Sequence, residues 1–312
     1  MCRRVCACAF ILWNVRLFVE PIGIVGHVAI DRILTSGGVR HQLGGPPTYV
    51  SIVTDLLGIS LIAATKVGGD FPEEYASALA AKGLDVRASV DQAATTTRFI
   101  LDYTRPERGL GYESLCSPIE PRDVEGLPDT VIVAPIVGEI PGETLDALEA
   151  RVLALDPQGF VRRLEPGGVI SLRPWRDAGL LRRLSVFKAS ARELGLVAGE
   201  AGWVGLERLA GLGVGVAIET LGGEGAHILH SERRMVVPAY DGEVVDTTGA
   251  GDAFIAGFMA EYASGEDVEW CAAVASAAAS AIVETVGPRI KINRHGLFER
   301  AEKIRAGIVY LS

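Results

Sequence analysis

The sequence predicts an α/β protein with a mainly parallel central sheet, helices on both of its faces, and a small β lid. Three observations carry this. From Pro21 onward, short β-branched runs alternate with helix-patterned stretches, as in TVIVAP before GETLDALEARV and RLSVFKAS before ARELGLVAG. Such alternation marks parallel strands joined by crossover helices. Hydrophobic residues are 49% of the chain and aromatic ones only 6%, so Ala, Val, Leu and Ile supply a large core. Two turn-punctuated stretches, RILTSGGVRHQL and TTTRFILDYT with GYESLC, break the alternation and read as antiparallel pairs outside the main sheet. No repeat, low-complexity tract or linker divides the chain. Residues 21–312 are therefore expected to form a single domain, with a lid from about 31–43 and 95–117.

Taken in order, IGIVGHVAID reads as one buried strand with Asp31 at its C-terminal end, where open α/β sheets bind ligands. His27, in the mouth of that strand, is the one histidine placed to touch a ligand. The segment GGPPTYVSIVTDLLG opens with Gly44-Gly45-Pro46-Pro47 and carries apolar residues at helical spacing to Leu57. LIAATKVGGD supplies a strand and turn, and FPEEYASALAAKGLD a helix closed by Gly83. Beyond the lid, LALDP precedes a helix-prone stretch, and VGVAIETLG leads into a hairpin around His230 to Arg234. DTTGAGDAF, Asp246 to Phe254, then runs into a helical pattern, FIAGFMAEYA.

Composition narrows the function. The net charge is −9 and the pI about 5.2, which argues against a nucleic-acid partner, because phosphate-backbone binding needs a positive surface. CAAVASAAASAIV is too short for a membrane span and reads as a buried helix, so a cytoplasmic protein is expected. Cys2, Cys6, Cys8, Cys116 and Cys271 contain no CxxC pair, and the histidines have no metal-ligand spacing. The apolar patch in residues 1–20 is interrupted by Asn14 and Arg16, so this stretch is expected to be a poorly ordered extension or a misassigned start rather than an export signal. IGIVGH lacks the G-x-G-x-x-G spacing of a dinucleotide-binding turn.

Chemistry concentrates in DTTGAGDAF. Gly249 and Gly251 let backbone approach a ligand closely, and the helix that follows offers unpaired N–H groups and a positive dipole end. That is an anion site. Asp252 beside it would compete with the anion as a mere cap, but makes sense as a base accepting a proton from an attacking hydroxyl. The nine-residue string closely resembles the C-terminal signature of the ribokinase (PfkB) family of carbohydrate kinases. The resemblance implies Asp252 as catalytic base and Gly249, Ala250 and Gly251 as the anion hole.

The same family's other motifs follow in the same order. GHVAID resembles its first strand and implicates Asp31 in substrate binding, and LGGPPTYVS resembles its Gly-Gly motif, implicating Gly44 and Gly45, with Tyr49 where that motif has asparagine. LDPQGFVR resembles a D-P-N-x-x-R-like segment, with Asp156 at a strand end as a further substrate-binding candidate and Arg162 six residues later. KASARE resembles the N-x-x-E element: Glu193 is retained, organising magnesium through water, while Ser190 replaces asparagine. ETLGGEGAH resembles the T-x-G-x-x-G nucleotide element and implicates Thr220, Gly222 and Gly225. Lys188 is a further nucleotide-side candidate, with a buried ion pair as its alternative, and Glu139 in VGEIPG a substrate-side candidate, with a helix-start carboxylate as its alternative. Asp246 is implied to shape the loop or to serve a monovalent cation such as K⁺.

The resemblance implies a ribokinase-like three-layer α/β/α sandwich and an ATP-dependent kinase that uses Mg²⁺ to phosphorylate a hydroxyl of a small sugar or polyol. Small shared departures in LGGPPTYVS, VGEI and FKAS look most like the myo-inositol kinase branch; nucleoside and other sugar kinases stay open. A phosphorylated substrate would need cations near the lid, where Arg32, Arg40, Arg98 and Arg105 are the candidates, so a neutral polyol is favoured. The competing class is a non-catalytic ligand-binding protein on this fold. The lid could serve a homodimer or act as a monomer's cover.

Overall fold

The computed structural model describes residues 20–86, 89–104 and 109–311. Residues 1–19, with the expected extension and its three cysteines, and Arg105 lie outside the described residues.

Strands in the central sheet alternate in which core they feed. Ile22, Ile24, Ile132, Val186, Val216 and Ile218 point to one core, whereas Val25, Val131, Val133, Leu153, Leu155 and Phe187 point to the other. A strand buried on both faces is apolar at most positions, which is why IGIV, TVIV and VLAL are near-continuous apolar runs rather than alternating ones. The nine-stranded sheet runs, from one edge, through Leu61–Ala64, Ile22–Val25, Thr130–Val133, Val152–Leu155, Val186–Ser190 and Val216–Thr220, all parallel. Ala226–His230, Arg233–Val237 and Val309–Leu311 then continue it antiparallel. Helices Pro46–Leu57, Ala250–Ala263, Val268–Val283 and Arg294–Ala306 cover the first core, and Ala191–Ala198 and Gly202–Leu212 help cover the second. The result is a helix–sheet–helix sandwich.

A second sheet of six strands forms a flap. Its order is Arg162–Glu165, Val169–Leu172, Gly109–Ser114, Arg98–Asp102, Ala29–Thr35 and Gly38–Gly44. Two details differ from the sequence expectation. The helix-prone stretch after Asp156 is helical only over Gln158–Val161 and then turns into the Arg162–Leu172 hairpin, which joins the flap. The first strand stops at Val25, and Asp31 belongs to the flap strand Ala29–Thr35 instead. The break falls at Gly26, where an added Cβ would sit 2.3 Å from the Ala134 carbonyl oxygen as the chain leaves the sheet.

Candidate active site

The cleft forms where the flap overhangs the C-terminal ends of the parallel strands. Its wall brings together Asp31, Gly45, Asp156, Lys188, Ser190, Glu193, Thr220, Gly222 and the run Gly249 to Asp252, in a hollow of about 410 Å³. A narrower slot of about 240 Å³ shares Thr220, Gly222, Thr247, Ala250 and Gly251 with it and extends to Gly225, Tyr240, Val244, Phe254 and Ala279. A larger groove of about 780 Å³, between Ile52 and Val286, contains none of the motif residues.

The glycine loop is shaped by what lies beneath it. Gly249 caps the helix Ala250–Ala263 with φ +81°, and a Cβ there would lie 2.2 Å from the Tyr49 ring. A Cβ on Gly251 would meet the Lys188 ammonium at 2.5 Å. The loop thus needs glycine for conformation at one position and for close approach at the other. The amide of Ala250 donates to Thr247 O over a long 3.3 Å, while those of Gly251 and Asp252 have no backbone acceptor among the described residues. These amides face the cleft as donors at a positive helix end.

Asp252 is enclosed by protein except toward the cleft. Burial, then the neighbouring Asp156 carboxylate, push its pKa up to about 7, against the pull of Lys188 and Arg162. Gln158 Nε2 donates to its Oδ1 at 3.3 Å, and Arg162 in turn donates to Gln158 Oε1 at 2.9 Å and to the Ile136 carbonyl at 2.9 Å. Gln158 was not singled out from the sequence. The signal available was its position in LDPQGFVR, two residues after Asp156.

Asp156 and Lys188 are buried and 2.6 Å apart. Burial disfavours the ammonium, but Asp156 and Glu193 outweigh it and hold Lys188 above the usual lysine range, so the lysine is charged, whereas burial pushes the Asp156 carboxyl up against the pull of Lys188. Glu193 closes a capping box with Ser190, accepting from its amide at 2.9 Å and its hydroxyl at 2.7 Å. Burial works against its charge, yet Lys188 and the Ser190 donors hold its pKa below the usual range. Glu193 thus remains anionic, with Oε1 outside that capping box. Among the described residues no group of three or more His, Cys, Asp or Glu is arranged to hold a metal ion. Mg²⁺ therefore fits only with donor oxygens supplied by a phosphate ligand and water-mediated contact to Glu193.

Two expected ligand-side residues lie elsewhere. Glu139 is buried, and its carboxylate accepts from the amides of His27 at 3.2 Å, Ile136 at 2.7 Å and Val137 at 2.8 Å. It pins the turn after Thr130–Val133 and does not line the cleft. His27 is also fully buried, its Nε2 donating to Ser117 O at 3.1 Å and its Nδ1 accepting from Thr97 Oγ1 at 3.0 Å; burial lowers its pKa and keeps it neutral. Gly44 and Gly45 act by absence of a side chain. A Cβ on Gly44 would overlap the Asp31 carboxylate at 2.2 Å, and one on Gly45 would strike the His27 carbonyl at 2.2 Å.

Asp246 accepts from the Thr248 amide at 3.0 Å and from Arg40 of the flap at 3.1 Å, so its charge is matched by a guanidinium from within the chain. Tyr103, also on the flap, bonds Thr248 Oγ1 at 3.0 Å. Of the other flap cations, Arg32 pairs with Glu113 at 2.5 Å and Arg98 with Asp70 at 2.7 Å, both outside the cleft, whereas Arg162 lines it. No helix among the described residues is long and apolar enough to cross a membrane.

Residues 170–294, which include the glycine loop, match the sequence profile of the pfkB family carbohydrate kinases. The chain is 29% identical to a nucleoside kinase of Methanothermobacter thermautotrophicus over 86% of this chain and 91% of that one. It is 29% identical to an inositol 3-kinase of Arabidopsis thaliana over 85% of this chain and 74% of the other. Its fold superposes with a TM-score of 0.75 on a pyrophosphate-dependent kinase of the ribokinase family, solved with a pyrophosphate analog and myo-inositol, at 22% identity and covering 89% of this chain and 99% of that one. A ribokinase fold and family sequence thus meet in one chain, which carries a pfkB family carbohydrate kinase domain and is a phosphotransferase acting on sugar-type hydroxyls.

Proposed function

We propose that this kinase transfers the γ-phosphoryl group of ATP to a hydroxyl of a neutral polyol, with myo-inositol the first candidate. The observation that carries the reading is Asp252: a carboxylate pushed up to about 7 by burial, in the first turn of a helix, in a hollow that shares Ala250 and Gly251 with the neighbouring slot. Asp252 accepts the proton of the acceptor hydroxyl as the oxygen attacks phosphorus. The Gly251 amide, with Ala250 at the helix head, stabilises charge on the transferring group. Lys188 and Arg162 add positive charge nearby, while the fixed Asp156–Lys188 pair holds the floor of the site. Mg²⁺, when bound with the donor, neutralises phosphate charge, and Glu193 orients its water shell.

The donor is a nucleotide rather than pyrophosphate on this reading. The slot running from Thr220 to Ala279 is walled by Tyr240, Val244, Phe254 and Ala279, an apolar lining that a base needs and pyrophosphate does not. Asp31 binds acceptor hydroxyls above the Gly44-Gly45 turn. The acceptor is read as neutral, because Arg32, Arg40 and Arg98 are each paired with a carboxylate, Lys188 with Asp156, and Arg162, which also lines the cleft, donates to Gln158 and to the Ile136 carbonyl. The inositol 3-kinase likeness and the myo-inositol bound by the structural relative support the polyol.

One observation favours a second reading. Phe99, Leu101, Leu110 and Ile136 make the flap side of the cleft apolar, which suits a nucleobase as well as the unsubstituted face of a ring. The test is ADP release from Mg-ATP, coupled to a spectrophotometric readout, against inositols, sugars and nucleosides, with Mg-pyrophosphate as alternative donor. Turnover with myo-inositol and ATP is expected. Stimulation by a nucleoside alone selects the second reading, and no stimulation by any acceptor removes the kinase reading in favour of a binding protein.

A further inference from the structure

Gln158 bonds the carboxylate assigned as the base, yet the mechanism gives it no role. It opens the one-turn helix Gln158–Val161 just after the strand Val152–Leu155, and its amide donates to Asp156 Oδ1 at 3.1 Å. The turn is pressed against a neighbouring strand exit: a Cβ on Gly159 would lie 2.5 Å from the Pro135 carbonyl carbon. That close approach fixes where the Gln158 side chain starts, on the wall of the cleft that it shares with Arg162 and Asp252.

The direction of its bonds follows from donor chemistry. A guanidinium can only donate, and Arg162 donates to Gln158 Oε1 at 2.9 Å while its other terminal nitrogen is tied to the Ile136 carbonyl at 2.9 Å. With Oε1 held by the guanidinium, it is the NH₂ end of the carboxamide that reaches Asp252 Oδ1, at 3.3 Å. Among the described residues this is the one hydrogen bond made by that carboxylate. The charges around it act in other directions. Asp156 and Glu193 repel it, whereas Arg162 and Lys188 attract it, and the Lys188 ammonium lies against Gly251, one residue away. A carboxylate free to rotate in that setting is drawn towards Lys188, and an ion pair there would cost it basicity.

We propose that Gln158 is a positioning residue for phosphoryl transfer, whose carboxamide, locked in one orientation by Arg162, holds Asp252 by Oδ1 and leaves Oδ2 as the oxygen that takes the acceptor proton. The inference rests on the kinase reading above, in which Asp252 is the base. A neutral donor suits the task. It fixes the carboxylate and favours its ionised form without neutralising it, as a second lysine or arginine in contact would. Arg162 acts one bond further out, since its fork sets which end of the carboxamide faces Asp252.

The experiment compares the full-length wild type with Gln158→Leu, which removes the donor, and Gln158→Glu, which keeps the shape and the Arg162 contact but sets a second carboxylate against Asp252. Steady-state kinetics from pH 5 to pH 10 with Mg-ATP and the best acceptor of the panel give kcat, KM and the pH profile. Gln158→Leu is expected to lower kcat at pH 7 by about ten- to a hundredfold, the scale of a misplaced catalytic group, with KM for acceptor and nucleotide within about threefold. The ascending limb of kcat/KM is expected to move to higher pH by about one unit, the equivalent of one hydrogen bond lost from a charged group, and further in Gln158→Glu. A residue that only supports the fold would lower the rate and leave the limb in place. An unmoved limb in both variants, or a loss confined to KM, overturns the proposal. If Gln158→Leu does not fold, the isosteric Gln158→Glu decides alone. Failure of the kinase reading looks different: the wild type then turns over no acceptor. The carboxyl ¹³C resonance of Asp252, assigned with Asp252→Asn, is titrated in that case, and a midpoint unmoved in Gln158→Glu overturns the contact without any need for turnover.

Discussion

The guanidinium of Arg40, on the flap, lies 3.1 Å from the Asp246 carboxylate, which in turn receives the Thr248 amide at the start of the glycine loop. A positive charge carried by the flap thus holds the loop that leads into the amides at the start of the helix Ala250–Ala263. Tyr103 reinforces the same junction through Thr248. With a guanidinium already matched to Asp246, the carboxylate has little need of an external cation. Turnover is expected to differ less than about twofold when potassium, sodium or a bulky organic cation is the counter-ion at equal ionic strength. Arg40→Ala is expected to lower kcat/KM by about tenfold, since a misplaced loop costs transition-state alignment. A strong requirement for potassium in the wild type would contradict this account.

On the proposed mechanism, Asp252 sets the pH response of the reaction. A base must be ionised to accept a proton, and this carboxyl is pushed up to about 7 by burial and by Asp156. The kcat/KM profile of the free enzyme is therefore expected to climb about tenfold per pH unit below that point and level off above it. Asp252→Asn is expected to lose at least about two orders of magnitude in kcat while still binding the nucleotide. A profile flat from acid to alkaline pH would remove Asp252 from the proton-accepting role.

The same shift has a sign in stability. Unfolded, the carboxyl titrates near 3.8, whereas folded it titrates near 7, so between those values the native state holds the extra proton. Its contribution is fully present below the unfolded value and is lost as pH rises through the folded one. At pH 8 the native state carries a charge it holds unwillingly. Asp252→Asn removes that penalty and is expected to stabilise the protein at pH 8 by on the order of 1–3 kcal/mol, with little gain at pH 4. Equal melting temperatures for the two proteins at pH 8 would show that water in the cleft solvates the carboxylate.

The contrast between Asp31 and Asp252 shows what the sequence could reveal. Asp252 was legible because the loop and its helix are contiguous: glycine spacing, helical periodicity and the carboxylate lie within one short string. Asp31 was identified as a residue but placed on the wrong element, because the chain leaves the sheet at Gly26, whose backbone passes too close to the Ala134 carbonyl to admit a Cβ, a contact more than a hundred positions away in sequence. The Arg162–Leu172 hairpin escaped for a related reason, since its pairing with Gly109–Ser114 is nonlocal. Gln158 and the Arg40–Asp246 pair likewise depend on segments that only the folded chain brings together. The parallel sheet was legible because strands buried on both faces are mostly apolar, with Thr130, Lys188 and Glu219 the buried polar exceptions among them.

Glu139 offers a test in which binding and folding give opposite answers. The sequence suggested a substrate-side carboxylate, but its two oxygens accept three backbone amides, from His27, Ile136 and Val137, in a fully walled site. Those bonds tie the exit of Ile22–Val25 to the turn after Thr130–Val133, two adjacent strands. Replacing the carboxylate by an amide presents an NH₂ group to donors that need an acceptor. Glu139→Gln is therefore expected to destabilise the fold by about 2–4 kcal/mol, a charged hydrogen bond lost plus an unpaired donor. At a temperature where the variant is still folded, KM for the acceptor should stay within about twofold of the wild type. Chemical denaturation and steady-state kinetics on the same preparation separate the two. A large rise in KM with unchanged stability would return Glu139 to the substrate.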